Sequence, residues 1–366
     1  MRKKILCLLL VLLCASIAII FPPKQYKSEA MSTSAKGMCL IEQETGRIIY
    51  SKNENLKLSM ASTTKVVTAI TVIENCDNLD EKFVVNNESI GVEGTSIYLR
   101  KGEEVSVKDL LYGLMLRSGN DSAVALACHV GGSVEKFAKM MNDTAKKVGA
   151  NNSNFTNPHG LDDKNHYTTA YDLAKISAYA LGNDTFKEIV STKSHIIPAT
   201  NKSDKRYLTN KNKLLTSLDG CCGVKTGFTS RAGRCLVSSA ERDGMTIVCV
   251  VLNCGPMFEE SASMINSAFE NYKKVKLIDK NIAIEDEKIG NKEYKQLYMY
   301  PEEDFDIVLS QNELDEIKIE YNFNGNKAEI NSVVGEIKIF LKKDLIKTIK
   351  LITMNKIDKM IEADLL

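Results

Sequence analysis

The sequence predicts a mixed α/β fold of the α+β type: an antiparallel sheet flanked by helices with a helical subdomain, then a small β-rich domain and a C-terminal amphipathic helix. Short, apolar, β-branched segments stand at both ends of residues 31–275, and apolar residues at helical spacing fill the region between them. A strongly charged segment with alternating apolar residues follows. Strands at both ends of a helical region indicate helices packed against a sheet, because each layer buries its apolar face on the other.

Length and composition exclude several classes of function. The chain has 366 residues, 44% of them hydrophobic, which suffices for one full-sized core and a smaller domain at ~100–200 residues per domain. The net charge is +1 and no basic stripe is interleaved with aromatic residues, so we expect no nucleic-acid partner. The ten cysteines form no C-x-x-C pair and the four histidines do not cluster with acids, so we expect no metal and no cofactor.

Residues 1–30 have the features of a secretory signal peptide. Basic residues at positions 2–4 precede an uncharged apolar run over residues 5–22, and Ser28-Glu29-Ala30 offers a small-x-small cleavage site. An uncleaved membrane anchor is the alternative, since the run approaches the ~18–20 residues that a spanning helix needs. Both interpretations place the rest of the chain outside the cytoplasm.

The first half of the chain predicts a hairpin followed by helices. Gly37 to Ile41 and Ile48 to Tyr50 flank a turn at Glu44-Thr45-Gly46, which is typical of a β-hairpin. Apolar residues then follow helical spacing over residues 62–75, 107–116, 121–130, 133–148 and 168–181. Ser133 and Thr168 are the expected N-caps of the last two helices.

The next part of the chain returns to strands. Residues 223–228, 234–240 and 246–252 are short, apolar and β-branched, and turn residues separate them, which predicts antiparallel strands. A helix from Glu259 to about Lys274 follows. The first domain is expected to end near Val275.

The remaining residues predict a second domain and a terminal helix. Apolar and polar residues alternate before an Asn324-Gly325 turn, which indicates a small β-rich domain over residues 276–342. Between Asp344 and Ile361 the apolar side chains lie broadly on one helical face and the lysines largely elsewhere, which predicts an amphipathic helix over residues 343–366. A basic amphipathic helix of this kind binds membrane surfaces, and packing against the β-rich domain is the alternative.

Three short segments in a fixed order predict a serine acyl-transfer site. They are Ser62-Thr63-Thr64-Lys65, Ser118-Gly119-Asn120 and Lys225-Thr226-Gly227. Each is weak alone: the S-x-x-K pattern recurs at Ser133-Val134-Glu135-Lys136, where a charged helix surface explains it. The prediction depends on the order and the separation of the three motifs taken together.

Ser62 and Lys65 are the predicted nucleophile and general base. A serine hydroxyl is a poor nucleophile until a base takes its proton, and a lysine one helical turn away lies on the same face. The lysine must be neutral to act, whereas an exposed ammonium has a pKa of ~10.4. Partial burial and a nearby cation both disfavour the charged form, and Lys225 is the expected cation.

The middle segment is predicted to lie in a loop between two helices. The Ser118 hydroxyl is suited to relaying a proton to the departing amine, a type of transfer typically worth ~10²–10⁴ in rate. The Asn120 amide is suited to holding a substrate carbonyl or amide in register. An ordinary turn is the simpler interpretation of these three residues alone.

The last segment is predicted to end a strand beside the site, where an extended peptide pairs with the backbone. Gly227 allows close approach of that backbone. The N–H groups of Ser62 and Phe228 are the predicted oxyanion donors. The predicted ligands of a substrate carboxylate are Lys225, Thr226 and Thr229.

The three motifs resemble those of the low-molecular-mass penicillin-binding proteins that are D-alanyl-D-alanine carboxypeptidases. Met60-Ala61-Ser62-Thr63-Thr64-Lys65 and Asn157-Pro158-His159-Gly160-Leu161-Asp162 are also similar to segments of that family, the latter as a loop that shapes the site. The resemblance extends over nearly the whole chain, from the secretion signal to the terminal helix.

This resemblance implies a penicilloyl-serine transferase fold, shared with β-lactamases, and a catalytic domain over residues 31–275. It implies removal of the last D-alanine of peptidoglycan stem peptides through an acyl-enzyme on Ser62, in cell-wall maturation. It also implies inhibition by β-lactams, which mimic the D-Ala-D-Ala end. The expected location is the outer face of the cytoplasmic membrane, in the cell-wall compartment.

One departure from the family pattern concerns carboxylate binding. Members usually carry an arginine near the start of the helix that follows the last core strand, and here that stretch reads Gly255-Pro256-Met257-Phe258-Glu259-Glu260. With no arginine there, carboxylate binding is expected to rest on Lys225, Thr226 and Thr229.

Three alternative functions stay open from the residues. A class A β-lactamase needs a glutamate and its water after the middle motif, but residues 157–172 contain aspartates and no glutamate. A weakly active or non-catalytic penicillin-binding scaffold of the wall or of sporulation would keep the shape of the site with little turnover. An S-x-x-K amidase acting on cytoplasmic amides fits poorly with the signal and the terminal helix.

Overall fold

The computed structural model describes residues 32–284, 298–323 and 330–354. The predicted signal over residues 1–30 lies outside the described residues, as does the last part of the predicted terminal helix, residues 355–366. In the described ranges, none of the helices combines the length and the apolar character that crossing a membrane requires.

The strands build one large sheet and several smaller ones. In chain order they are β1 (Gly37–Glu42), β2 (Ile48–Lys52), β3 (Lys82–Val84), β4 (Glu104–Ser106), β5 (Ser194–Ile197), β6 (Arg206–Thr209), β7 (Cys221–Thr229), β8 (Gly233–Arg242), β9 (Met245–Leu252), β10 (Tyr272–Ile278), β11 (Tyr298–Pro301), β12 (Phe305–Ser310), β13 (Ile317–Phe323), β14 (Val333–Leu341) and β15 (Asp344–Met354).

The helices lie mostly between β2 and β7. They are α1 (Lys65–Glu74), α2 (Val107–Leu116), α3 (Asn120–Gly131), α4 (Val134–Lys147), α5 (Ala170–Leu181), α6 (Asp184–Ser191), α7 (Leu214–Ser217), α8 (Met257–Asn271) and α9 (Gln311–Leu314). This arrangement confirms the predicted mixed class, with strands at both ends of a helical region.

The main sheet has five antiparallel strands in the order β2-β1-β9-β8-β7, so β7 is an edge strand. Side chains alternate between its two faces. Cys39 and Ile41 of β1 belong to a core shared with helices α1 to α6, whereas Met38 and Leu40 belong to a second core shared with α8. Because both faces are covered, the central strands β1, β8 and β9 are buried over most of their length.

Two predicted helix starts differ from the structure in detail. A 3₁₀ turn, Ala61–Thr64, precedes α1 and contains Ser62. Ser133 caps α4 as predicted, by accepting from the N–H of Lys136. The cap of α5 is Thr169 and not Thr168, because the backbone of Thr168 is paired with Leu58 in an isolated bridge.

The helix predicted over residues 343–366 is wrong for residues 344–354, which form strand β15. This strand pairs with β14 and β11 in a four-stranded sheet of order β11-β15-β14-β13. Its inner positions, among them Ile349, Leu351 and Thr353, are buried at every second residue. β-Branched side chains suit a pleated, half-buried surface, and pairing with β14 outweighs the helical spacing that the same residues also satisfy.

The β-rich part of the chain and the main domain are joined through β10. This strand follows α8 directly, spans the boundary predicted near Val275 and pairs with β12. Two short hairpins, β3–β4 and β5–β6, and the helices α6 and α7 were not predicted, because segments of three to eight residues give little periodic signal.

Candidate active site

Ser62 and Lys65 are in contact at the start of α1. The Nζ atom of Lys65 lies 3.0 Å from Oγ of Ser62. Lys65 is fully buried, so its amine is shielded from bulk solvent. The serine is the second residue of the 3₁₀ turn and the lysine is the first residue of the α-helix, so the predicted one-turn spacing brings the two side chains together.

Two further oxygens surround the Lys65 amine. Nζ donates to Oδ1 of Asn120 and to the carbonyl oxygen of His159, both at 2.7 Å. The Asn120 amide is oriented by Nδ2, which donates to the carbonyl oxygen of Glu93 at 2.6 Å. The middle motif therefore meets the first motif through a direct hydrogen bond between Asn120 and Lys65.

Burial is the main cause of a pKa of Lys65 well below its usual range, since a buried ammonium loses its hydration. The positive charges of Lys225 and Lys211 lower this pKa further, and Asp121 opposes them. The Asp121 carboxylate accepts hydrogen bonds from the backbone N–H groups of Ile97 and Leu99. Lys65 is thus placed where the neutral amine is favoured.

Ser118 lies in the turn between α2 and α3, two residues before Asn120. It is buried, with a φ of 63°. Ala61, directly before the nucleophile candidate, has a φ of 50°. Non-glycine residues in this left-handed region are strained and persist only where the surrounding structure holds them. The backbone at both motif segments is therefore fixed by its neighbours and not by local conformational preference.

Strand β7 runs beside the 3₁₀ turn of Ser62. A Cβ atom added at Gly227 would lie 3.0 Å from the backbone N of Ser62 and equally close to the carbonyl oxygen of Met60, so only glycine fits here without displacement. The backbone of β7 and the backbone of the nucleophile turn are therefore in contact. Phe228, the next residue, is 66% exposed.

Two of the three predicted carboxylate ligands, Lys225 and Thr229, are engaged within the protein. Lys225 is buried, and its Nζ donates to the carbonyl oxygen of Thr226 at 2.9 Å. Burial, with a contribution from the charge of Lys211, lowers the pKa of Lys225 to about 7. The Thr229 hydroxyl donates to Oδ1 of Asp162 at 3.1 Å and accepts from the N–H of Ala232 at 3.0 Å.

The loop over residues 157–162 closes the site from the other side. Asn157 Oδ1 accepts from the N–H of Gly160 at 2.7 Å, which shapes the turn that presents the His159 carbonyl to Lys65. Gly160 has a φ of 89°, and a Cβ there would lie 1.9 Å from the carbonyl oxygen of Ala61. Burial lowers the pKa of the His159 imidazole to about 3. This ring is therefore neutral at physiological pH.

Sequence reasoning missed two contributors to this site. It read the loop as shaping the pocket without foreseeing that the His159 backbone carbonyl binds Lys65. It did not single out Lys211, whose charge lowers the pKa of both Lys65 and Lys225. Every residue has a backbone carbonyl, so the residue type does not indicate which carbonyl will bind the lysine. In the sequence, Lys211 cannot be distinguished from any other surface lysine. Among the described residues, no group of three or more His, Cys, Asp or Glu side chains is placed to hold a metal ion.

Two family models match the chain. The model for D-alanyl-D-alanine carboxypeptidase matches residues 24–255. The model for the C-terminal domain of penicillin-binding protein 5 matches residues 272–359.

Curated proteins and solved structures of the same kind align with most of the chain. D-alanyl-D-alanine carboxypeptidase DacF of Bacillus subtilis is 32% identical over 352 residues, covering 92% of this chain and 90% of that protein. DacD of Escherichia coli is 28% identical, covering 87% and 85%. The crystal structure of penicillin-binding protein 5 from Haemophilus influenzae superposes with a TM-score of 0.74 at 27% identity, covering 90% of this chain and 99% of that chain.

Proposed function

Because the chain belongs to the D-alanyl-D-alanine carboxypeptidase family of penicillin-binding serine peptidases, we propose that it removes the terminal D-alanine of peptidoglycan stem peptides through an acyl-enzyme on Ser62. Family membership implies peptides ending in D-Ala-D-Ala as substrates and β-lactams as ligands. One observation supports the assignment of the nucleophile above others: the buried Lys65 amine lies 3.0 Å from Oγ of Ser62.

In the acylation step, neutral Lys65 takes the hydroxyl proton while Ser62 Oγ attacks the carbonyl carbon of the penultimate D-alanine. The resulting oxyanion is bound by the N–H groups of Ser62 and Phe228, which the contact between β7 and the nucleophile turn supports. Removal of one such donor typically costs ~3–4 kcal/mol of transition-state stabilisation.

Collapse of this intermediate breaks the C–N bond and releases D-alanine. The proton held by Lys65 passes through the Ser118 hydroxyl to the departing amine, and Asn120 holds the substrate amide. One N–H of the Asn120 side chain is used by Glu93, which leaves the second for substrate. Water then attacks the ester carbonyl, Lys65 takes a proton from that water, and Ser62 is regenerated with release of the shortened peptide.

The peptide itself is proposed to lie along the open edge of β7, paired with the backbone on both sides of Gly227. Lys225, Thr226 and Thr229 stand at the end of the site where the terminal carboxylate would lie. At this end of the site the Lys225 amine and the Thr229 hydroxyl already donate hydrogen bonds to oxygens of the protein. Fewer donors are therefore available to the substrate carboxylate than to the groups that react at Ser62.

Release of D-alanine from a peptide ending in D-Ala-D-Ala tests the proposal directly. The protein is expected to release D-alanine and to form a stable adduct with a fluorescent penicillin, and Ser62→Ala is expected to abolish both. Ser133→Ala is the matched control, because Ser133 heads the second S-x-x-K pattern but serves as a helix cap. Rapid loss of the label without D-alanine release would indicate a β-lactamase, and a stable label without release would indicate a scaffold.

Export and contact with a membrane surface are further proposals. The charge and apolar pattern of residues 1–30 supports export, and the apolar residues after β15 support contact with a membrane surface. Deleting residues 355–366 leaves β15 intact and is expected to release the protein from membranes without changing D-alanine release. Unchanged membrane binding after this deletion would contradict a role for that segment.

A further inference from the structure

The turn between β9 and α8 lacks the arginine expected from the resemblance, yet an arginine of a different strand reaches this turn. Arg234 of β8 donates from Nη1 to the carbonyl oxygen of Gly255 at 3.3 Å. Its own carbonyl oxygen accepts from the N–H of Cys254 at 2.8 Å, which ties this end of β8 to the turn. A guanidinium therefore contacts the turn that leads into α8, although residues 255–260 supply none.

Arg234 retains most of its binding capacity. Its side chain is exposed. Within the described ranges the guanidinium makes this one hydrogen bond and no ion pair. A guanidinium has five N–H donors in a planar fork and stays protonated at any physiological pH. It is thus free to bind an anion in two-point fashion.

The strand register places Arg234 beside the substrate-binding strand. Arg234 is the cross-strand partner of Phe228 in β7, and Thr226 is a diagonal neighbour on the same face of the sheet, because side chains alternate. Diagonal neighbours in antiparallel strands are about 7–8 Å apart, which an extended arginine side chain can bridge. Thr226 is itself one of the predicted carboxylate ligands.

The other predicted ligands leave a carboxylate without a permanently charged partner. The Thr229 hydroxyl is held by Asp162 and by the N–H of Ala232. Lys225 is buried, and its pKa of about 7 means that only part of the population is charged at neutral pH. The nearby Asp162 carboxylate adds repulsion for a second anion.

We propose that Arg234 binds the terminal carboxylate of the D-Ala-D-Ala substrate, together with Thr226, in place of an arginine from the turn after β9. This inference rests on the proposed function. The carboxylate is the group that the reaction requires at this position, and a forked guanidinium matches it by two parallel N–H···O bonds. Arg234 thereby selects for peptides with a free C-terminus.

A comparison of two substrates isolates this interaction. The substrates are a peptide ending in D-Ala-D-Ala and the same peptide with a C-terminal amide, tested on the full-length protein and on Arg234→Ala. We expect kcat/KM to fall about 10- to 100-fold on the acid and less than about 3-fold on the amide, since hydrogen bonds to charged groups are the stronger ones. Arg234→Lys should recover part of the loss on the acid.

Arg231→Ala is the matched control, because Arg231 lies in the adjoining β7–β8 turn and is also exposed. Arg231→Ala should leave the ratio of kcat/KM on the acid to kcat/KM on the amide unchanged. An equal loss on both substrates in Arg234→Ala, or an equal effect of Arg231→Ala, would overturn the proposal. Acylation by benzylpenicillin and by its methyl ester repeats the comparison without turnover. If the wild-type protein released no D-alanine, the proposed function would be contradicted. The acylation rates with benzylpenicillin and its methyl ester would still test the role of Arg234, because they do not depend on turnover.

Discussion

Three oxygens contact the Lys65 amine: Oγ of Ser62, Oδ1 of Asn120 and the carbonyl oxygen of His159. A neutral amine has two N–H donors and one lone pair, and two of its three partners are an amide oxygen and a backbone carbonyl oxygen, which only accept. The lone pair is then left for the Ser62 hydroxyl, whose proton it can take. An ammonium that donated to all three oxygens would fit the same distances, so the neutral form is indicated by burial and by the charge of Lys225, both of which lower the pKa of Lys65.

Removal of the Lys211 charge is expected to move the pH dependence of acylation. Lys211 lowers the pKa of Lys65, so Lys211→Gln raises that pKa and leaves less neutral amine at a given pH. In a plot of the penicillin-labelling rate against pH, the decrease in rate on the acid side should therefore begin at a higher pH than in the wild type. Lys213→Gln is the control, two residues away. An acid limb that did not move, or that moved equally in both variants, would contradict this account.

Replacement of Lys225 by methionine is expected to stabilise the fold while weakening acylation. Burial lowers the pKa of this lysine from 10.5 to about 7, which costs on the order of 4 kcal/mol of folding free energy at neutral pH. Because the folded pKa lies below the unfolded one, this cost is present near pH 7 and disappears as the pH rises through 10.5. Chemical denaturation should show Lys225→Met more stable by about 1–3 kcal/mol at pH 7, with the difference shrinking by pH 10. A variant that is less stable at pH 7 would contradict a destabilising effect of burying the Lys225 amine.

The chemistry-bearing side chains could be predicted because their order along the chain is informative. Ser62 and Lys65 contact one another, and Asn120 binds Lys65 directly. The His159 carbonyl and the Arg234 guanidinium could not be predicted, since their positions depend on loop geometry and on the pairing of β8 with its neighbours. Long-range contacts of this kind have no local pattern.

Three elements hold the nucleophile in place: the 3₁₀ turn before α1, strand β7 and the loop over residues 157–162. Gly227 and Gly160 are the points of closest backbone approach, on opposite sides of the turn. The turn is thus clamped between two backbones. We expect its position to be more sensitive to added volume than to changes in exposed side chains.

Gly160→Ala is expected to disrupt the site strongly. Its Cβ would lie 1.9 Å from the Ala61 carbonyl oxygen, so the loop must move away from the nucleophile turn. Gly132→Ala is the matched control, since Gly132 has a similar positive φ of 75° but no atom within 4 Å of the added Cβ. The control should lose about 1 kcal/mol of stability from backbone strain alone, whereas Gly160→Ala should lose clearly more and acylate at least about tenfold more slowly. Equal effects in the two variants would show that the contact with Ala61 is unimportant.

The end of the chain shows where pattern reasoning fails. Residues 344–354 satisfy helical spacing and strand alternation at once, and no local feature decides between them. The structure resolves the ambiguity by pairing β15 with β14 over nearly its full length. By contrast, the main sheet was predictable because its strands are short, apolar and separated by turn residues.

The main sheet and the β-rich part of the chain are in direct contact. Arg47, which follows the β1–β2 turn, binds the carbonyl oxygen of Val308 and the Glu313 carboxylate, and its guanidinium lies 5.8 Å from the centre of the Tyr272 ring. Lys274 binds Glu44 on the same side. Arg47 is buried, so this contact is more than a surface ion pair.

Arg47→Met is expected to lower the free energy of unfolding by about 1–3 kcal/mol, because it removes the buried hydrogen bond to the Val308 carbonyl and the pairing with Glu313, which is partly exposed and keeps its hydrogen bonds from Ser310. D-alanine release at 25 °C should be unchanged, since Arg47 makes no contact with Ser62 or Lys65. Lys347→Met, which breaks the partly exposed pair with Glu303, is the control and should change stability by less than about 1 kcal/mol. Calorimetry that gave both variants the same Tm would contradict a stabilising role for the buried contact.

The central claim is that the neutral amine of Lys65 deprotonates Ser62. Its most direct test is the rate of acylation by penicillin, followed by mass spectrometry of the peptide that contains Ser62, in wild type and in Lys65→Ala across the pH range. We predict one adduct on Ser62 in the wild type, formed more slowly as the pH falls, and a loss of at least about 100-fold in Lys65→Ala. Acylation of Lys65→Ala within a few-fold of wild type, or an adduct on a different residue, would contradict the claim.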